Sequence, residues 1–521
     1  MKNLFASSLL LAVVLATRAA FAGDATRGEA CLEVVDLECA RAAAVGLGTS
    51  PAEQGFRAQL AFHEQRFDEA FRLLQDNVGP NPDARTASAL GLYKATLEAV
   101  EGFTHETRGD VTIRYMPGTD EVLLDDAFAT LQASHDRIGP RLGGAPPGGV
   151  RLEIYPTAAR FIAASGIPAA SVQTTGVVAL SKWSRLLVTS PKALARGYAW
   201  RDTLAHEYIH YIVAYNTRDQ APVWLQEGIA RSHEVLWRTD DFVELPAYQQ
   251  SMLAGALAKD ELVPLQRMHP SMAFLPSAEM AALAFAQVAT MIEYLERTSG
   301  EGATRRALEQ VRGGTDALVA VAAVGAKGDA GVFMAGWKTW LRSLKFVARH
   351  LAAMPTVLGE GDDLATDPLL ANRQDLAGFA RLGDLLVTAK RAEAALVEYK
   401  KAIPEDEPPS PALALRLARA HRVLGHDREA IEILKATITD YPEYAASRKE
   451  LAELWVEAGR PSDAILEYLA SADINPFDPA VQSALSALYG AMGQNQEAER
   501  RRRYERILRL GGTDPSEGSS P

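Results

Sequence analysis

Cysteine is nearly missing from this sequence: Cys31 and Cys39 are the only two in 521 residues. At most one internal disulfide can form, so the chain is not a small scaffold stapled by bridges. Its length instead supports two or three domains with sizeable cores. A surplus of positive charge is missing too. Lysine and arginine number 54 against 66 aspartates and glutamates, a formal net charge of -12. That balance argues against nucleic acid or an anionic membrane surface as the main partner. After residue 22 no apolar run is long enough to span a bilayer. What remains is an ordinary globular composition, 48% hydrophobic and 23% charged.

The chain opens MKNLFASSLLLAVVLATRAAFAG, with an early lysine, an apolar run from Leu9 to Ala16, and Ala20-Phe21-Ala22. This has the form of a secretory signal cleaved after Ala22. Cleavage removes Lys2 and Arg18 and no acid, taking the formal charge from -12 to -14. No cysteine follows the cut to carry a lipid. The expected location is the periplasm, with secretion as the alternative. In an exported chain, Cys31 and Cys39 are expected to form a disulfide, two small buried thiols being the alternative. Eight residues of unbroken helix would hold them too far apart, so a bridge requires a bend between them.

Residues 23–100 read as a helical, repeat-like region, with Phe62, Phe67, Ala70, Phe71 and Leu74 at helical spacing. The texture changes after that. DVTIRYMPG and VRLEIYP read as strands around the amphipathic helix DDAFATLQASHDRIG, and two short strands follow at Gly176–Leu180 and Arg185–Thr189. Helical patterns return from about 278 to 346, and 346–375 reads as a connector rich in Gly, Asp and Pro. The predicted architecture is an α+β domain over residues 105–345, with a small sheet beside helices, followed by an all-α solenoid over 376–511. A polar tail, 512–521, is predicted to be disordered.

The solenoid is written as a period. Gly425, Gly459 and Gly493 recur every 34 residues, and so do Ala430, Ala464 and Ala498, and Pro408, Pro442 and Pro476. Such self-similarity marks stacked helix-turn-helix units, with the glycines in the turns and the prolines closing each unit. The pattern resembles the tetratricopeptide repeat family. An earlier unit, ARLGDLLVTAKRAEAALVEYKKAIPED, lacks the glycine. Repeats of this kind imply a protein partner held in a concave groove.

The chemistry points to HEYIH, residues 206 to 210. On a helix, His206 and His210 share one face a turn apart, as two ligands of a tetrahedral zinc site require. Glu207 is placed to take a proton from water at the open position. Val213 and Asn216 exclude a third histidine of the metzincin kind. Glu227, 17 residues after His210 and past Pro222, can complete a His2Glu set from a second helix.

TLAHEYIH followed by PVWLQEGIA resembles the gluzincin metallopeptidases, most nearly the peptidase MA-like branch, over roughly residues 105 to 345. The resemblance implies a zincin-like fold and one Zn2+ per chain held by His206, His210 and Glu227. It implies Glu207 as general base, a peptide or protein substrate, and an edge strand near Gly176–Leu180 able to hold an extended peptide. Where many relatives have A-Y-x-Q, this chain has Ala284-Phe285-Ala286-Gln287, and phenylalanine offers no hydroxyl to an oxyanion. Tyr208, Tyr211 and Tyr248 are alternative donors. His233 is a candidate ligand or transition-state donor, against the commoner case of a surface histidine beside Glu234. The competing reading is a non-catalytic scaffold whose repeats bind another protein.

Overall fold

The computed structural model describes residues 23–511 except 170, 171, 173–175, 273, 274, 347–350, 352, 353, 355, 356, 358–363, 365, 366, 368, 369, 371, 372 and 406. The stretches read as a signal peptide and a polar tail therefore lie outside the described residues.

Among the described residues five helices lead: α1 (Ala25–Glu33), α2 (Leu37–Ala44), α3 (Pro51–His63), α4 (Phe67–Asn77) and α5 (Ala84–Ala99). Cys31 and Cys39 are disulfide-bonded with Cα atoms 5.7 Å apart. The bend the bridge requires lies at Val35, whose φ of +62° ends α1 and turns the chain into α2. Helix α3 begins with a capping box, Ser50 and Glu53 each satisfying the other's backbone N–H.

The sheet has five strands: β1 (Thr104–Arg108), β2 (Val111–Tyr115), β3 (Val150–Tyr155), β4 (Ala179–Lys182) and β5 (Arg185–Thr189), in the order β1-β2-β3-β5-β4. The β2–β3 and β3–β5 pairs are parallel, and the two outer pairs are antiparallel. Between β2 and β3 lie α6 (Leu124–Arg137) and the single turn α7 (Gly139–Leu142); α8 (Ala158–Ser165) follows β3. Two details depart from the sequence reading. Strand β1 went unseen because THETR is polar and largely exposed, with no buried alternation to betray it. The edge strand covers Ala179–Lys182 rather than Gly176–Leu180. Gly176 instead takes φ +67° and bonds back to Val172, and pairing starts only where the Val178 carbonyl meets the Thr189 N–H.

Both faces of the sheet are covered, which is why every residue of β5 is buried. On one face Phe62, Phe67 and Tyr93 of the N-terminal helices pack with Tyr155, Phe161 and Leu187. Here Arg185 and Glu153 form an ion pair at 2.6 Å with both side chains fully buried. The charges are tolerable because Glu153 also accepts from Gln65 Nε2 and the Tyr155 hydroxyl, while Arg185 stacks on Phe62 at 4.5 Å. The other face meets the main core: Ile113, Leu152, Ile154 and Val188 against Leu204, Tyr208 and Ile212.

That core is built by α9 (Trp200–Thr217), α10 (Val223–His233), α11 (Ala247–Lys259), α12 (Ala278–Ser299), α13 (Ala303–Arg312), α14 (Ala317–Gly325) and α15 (Ala330–Ser343). Among the described residues no single helix is long and apolar enough to cross a membrane.

Four helical hairpins complete the described residues: α16 (Gln374–Thr388) with α17 (Ala392–Lys401), α18 (Pro411–Val423) with α19 (Asp427–Asp440), α20 (Ala445–Glu457) with α21 (Pro461–Ala472), and α22 (Pro479–Ala491) with α23 (Asn495–Arg509). Gly425, Gly459 and Gly493 sit in three of the turns at φ of +75°, +69° and +73°. Lys390 takes φ +58° in the first turn, where the glycine is missing. Ala430, Ala464 and Ala498 are buried against the neighbouring helix, as close stacking requires. The stretch read as a connector is more than a linker: Leu364, Asp367 and Leu370 are buried, and both leucines join the repeat core. The repeats are also not free of the rest. Tyr504 and Ile507 of α23 belong to the main core, beside α6.

Candidate metal centre

Helix α9 is long because nothing in WRDTLAHEYIHYIVAYNT breaks it, and it stops where Arg218 turns left-handed at φ +52°. It is buried on most sides, with Leu204, Ala205, Ile209 and Ile212 fully enclosed. His206 and His210 occupy its one partly open stripe, at 16% and 15% side-chain exposure.

Helix α10 brings Glu227 to them. Pro222 precedes it, and Trp224, Leu225, Ile229 and Ala230 bury its inner face. Its approach to α12 is set at Gly228: a Cβ there would lie 2.8 Å from the Val288 carbonyl oxygen and 3.0 Å from Ile292. No side chain fits, which is the physical reason for glycine beside the glutamate.

The three predicted ligands converge. Glu227 Oε2 lies 3.4 Å from His206 Nε2 and 3.5 Å from His210 Nε2, and the two imidazole nitrogens are 3.0 Å apart. Among the described residues, this is the one group of three or more side chains whose donor atoms could share a metal ion. Donors around a tetrahedral zinc with bonds of 2.0–2.1 Å stand about 3.3 Å from one another. Two imidazoles and a carboxylate with these separations fit that geometry and leave a fourth position open.

The surroundings hold the ligands in place. His206 Nδ1 is 2.8 Å from Glu234 Oε2, and Arg231 grips the other oxygen of Glu234. A carboxylate behind a ligating histidine fixes the ring and its tautomer. The sequence reading missed Glu234 in this role. The signal was available, since Glu234 follows Glu227 by two helical turns and so returns to the same side. Two acids around two imidazoles also make the pocket attractive to a cation. Burial disfavours charge on His206, yet Glu227 and Glu234 outweigh it and raise its pKa to about 10. Burial likewise opposes ionisation of Glu227, but His210 and His206 win and hold it well below the usual carboxylate range.

Glu207 is 6% exposed, one position along α9. Burial raises its pKa, against the pull of His210, His206 and the Ser181 backbone N–H. The contact with Ser181 sets the carboxylate against β4, an edge strand of the sheet.

The other candidates are placed elsewhere. His233 is not a surface residue: it is 1% exposed, with Nδ1 2.8 Å from the Ser232 hydroxyl and its ring against Phe242. It lies outside the donor group, and burial lowers its pKa to about 3. The Tyr208 hydroxyl meets His135 and that of Tyr211 donates to the Gly149 carbonyl, so both are engaged away from the site. Tyr248, on α11, accepts from Gln249. Phe285 packs against the main core, and Gln287 ties α12 to Val263 through two backbone bonds.

Residues 428–488 match the tetratricopeptide repeat. The chain is similar to the crystal structure of MamA at 19% identity, over 27% of this chain and 82% of that one, with a TM-score of 0.25. It is also similar to TTC0263, a thermophilic tetratricopeptide repeat protein of Thermus thermophilus, at 23% identity, over 26% and 74% of the two chains, with a TM-score of 0.23. No curated protein matches the chain. The helices from α19 to α22, which hold the matched residues, thus belong to tetratricopeptide repeats, and repeats of this kind hold protein partners.

Proposed function

We propose that this chain is a zinc-dependent metallopeptidase of the gluzincin kind, exported to the periplasm, whose repeats recruit a protein partner or substrate. The observation that carries the reading is the triangle of His206, His210 and Glu227, with donor atoms 3.0 to 3.5 Å apart on two helices. Glu234 behind His206 and the buried Glu207 beside the triangle add to it.

A zinc ion bound there would supply Lewis acidity to a carbonyl and to water. The protein's own part is positional and acid–base. Glu207, its pKa raised by burial, accepts a proton from water and hands it to the leaving amine. Strand β4, at an edge of the sheet and next to Glu207, is where an extended peptide would lie. Arg231 and Glu234 keep the His206 ring from turning as the charge nearby changes.

A second reading, a scaffold without turnover, is favoured by Phe285 where a hydroxyl is expected and by the engagement of Tyr208 and Tyr211 elsewhere. Metal content on residues 23–521 tests the first. The expected result is near one zinc per chain, lost or strongly reduced in Glu227→Ala. A wild-type protein that takes up no zinc would end the peptidase reading and leave the scaffold.

A further inference from the structure

The start of the metal-bearing helix is held by the repeats. Tyr198 N–H, two residues before α9, donates to the Ile474 carbonyl at 3.1 Å. Ile474 follows α21 in the loop that leads to α22. The two chains pass so closely at Gly197 that a Cβ there would lie 2.2 Å from the Ile474 oxygen, and Gly197 takes φ +71°. Arg201, in the first turn of α9, pairs with Asp473 of the same loop at 3.1 Å. The Arg201 guanidinium also bonds Thr130 and lies 4.3 Å over Trp237. Next to it, Asp202 accepts from Trp237 Nε1 and from Arg238, just beyond α10 and Glu234. One repeat loop therefore touches the turn from which both metal-bearing helices are braced.

This contact is not the main attachment. At the far end of the solenoid, Arg503 and Tyr504 of α23 engage Asp125, while Tyr504 and Ile507 enter the main core. The repeats would stay docked without Asp473 and Ile474, so their grip on α9 is a separate device.

We propose that the Asp473–Ile474 loop is a positioning element for the metal centre: it fixes the first turn of α9, so metal affinity depends on how the repeats are seated. This rests on reading His206, His210 and Glu227 as a metal site.

Zinc affinity of residues 23–521 is measured by competition with a chromogenic chelator, with thermal unfolding in parallel. Asp473 is partly exposed, so Asp473→Ala is expected to fold. It and Gly197→Val, which pushes the loop away, should weaken zinc binding about tenfold, the lower end of what outer partners of a metal site contribute. Asp473→Glu should restore most of it. Asp463→Ala, removing a repeat acid paired only within its own helical turn, should change nothing. Wild-type affinity in both Asp473→Ala and Gly197→Val, with both folded, would overturn the proposal. If the wild type takes up no zinc, the metal reading fails. Amide exchange of metal-free protein then decides the positioning role: unchanged exchange at Trp200–Leu204 in Asp473→Ala overturns it, and faster exchange confined to that turn upholds it.

Discussion

Gly459 in the repeats and Gly228 in α10, the helix of Glu227, are both motif glycines, and they exist for opposite reasons. Gly459 turns the chain at φ +69°, and nothing lies within 4 Å of where its Cβ would be. It supplies backbone freedom to a local turn. Gly228 sits in ordinary helix, and its Cβ would collide with the carbonyl of Val288, 60 residues away. It supplies space for a tertiary approach. The repeats are thus specified by short-range geometry that recurs, so partial loss is tolerated: Lys390 stands in the same left-handed turn where one unit lacks its glycine. The candidate metal centre has no such redundancy. Its residues answer to specific partners on two helices.

The largest effect should come from the site. Glu207→Gln keeps the shape of the side chain and removes the proposed base, so turnover of an unstructured protein substrate should fall about 10³-fold while zinc content stays unchanged. Equal turnover in wild type and variant would put this residue outside the chemistry. Glu234→Ala removes the carboxylate behind His206 and leaves the three ligands. Zinc affinity should drop by about 10- to 100-fold in a chelator titration. A smaller response would make Glu234 a partner of Arg231 alone.

Gly228→Ala sharpens the contrast directly. Forcing a methyl against Val288 should cost about 1–3 kcal/mol by denaturant unfolding and also weaken zinc binding, because Glu227 moves with the helix. At the small end, Lys390→Gly should stabilise the protein by roughly 1 kcal/mol, by removing the strain of a left-handed lysine. It should leave zinc affinity untouched. If Gly228→Ala were silent, or Lys390→Gly changed the metal centre, the division between local and tertiary roles would not hold.

Some features were legible because they depend on spacing along one element. The 34-residue period identified the repeats, the i, i+4 histidines gave two donors on one face, and WLQEGIA on a new helix supplied the third. The Cys31–Cys39 bridge was expected of an exported chain, and helical rise required a bend within it. Other features were not legible. The polar strand β1 carries no burial pattern, and the true limits of β4 depend on which carbonyl Thr189 meets. His233 reads as a surface residue beside an acid, yet packing against Phe242 buries it.

The sequence by itself determined the periodic solenoid, the likeness to a two-histidine, one-glutamate site, and the residue proposed as its base, because each is a matter of residue type at fixed local intervals. Only the tertiary structure decided that Glu234 stands behind His206, that Tyr208 and Tyr211 turn away, that Gly228 is a spacer, and that a repeat loop grips the start of α9. Those depend on how separate helices approach one another, and that approach is set by the shape of the whole core rather than by any segment within it.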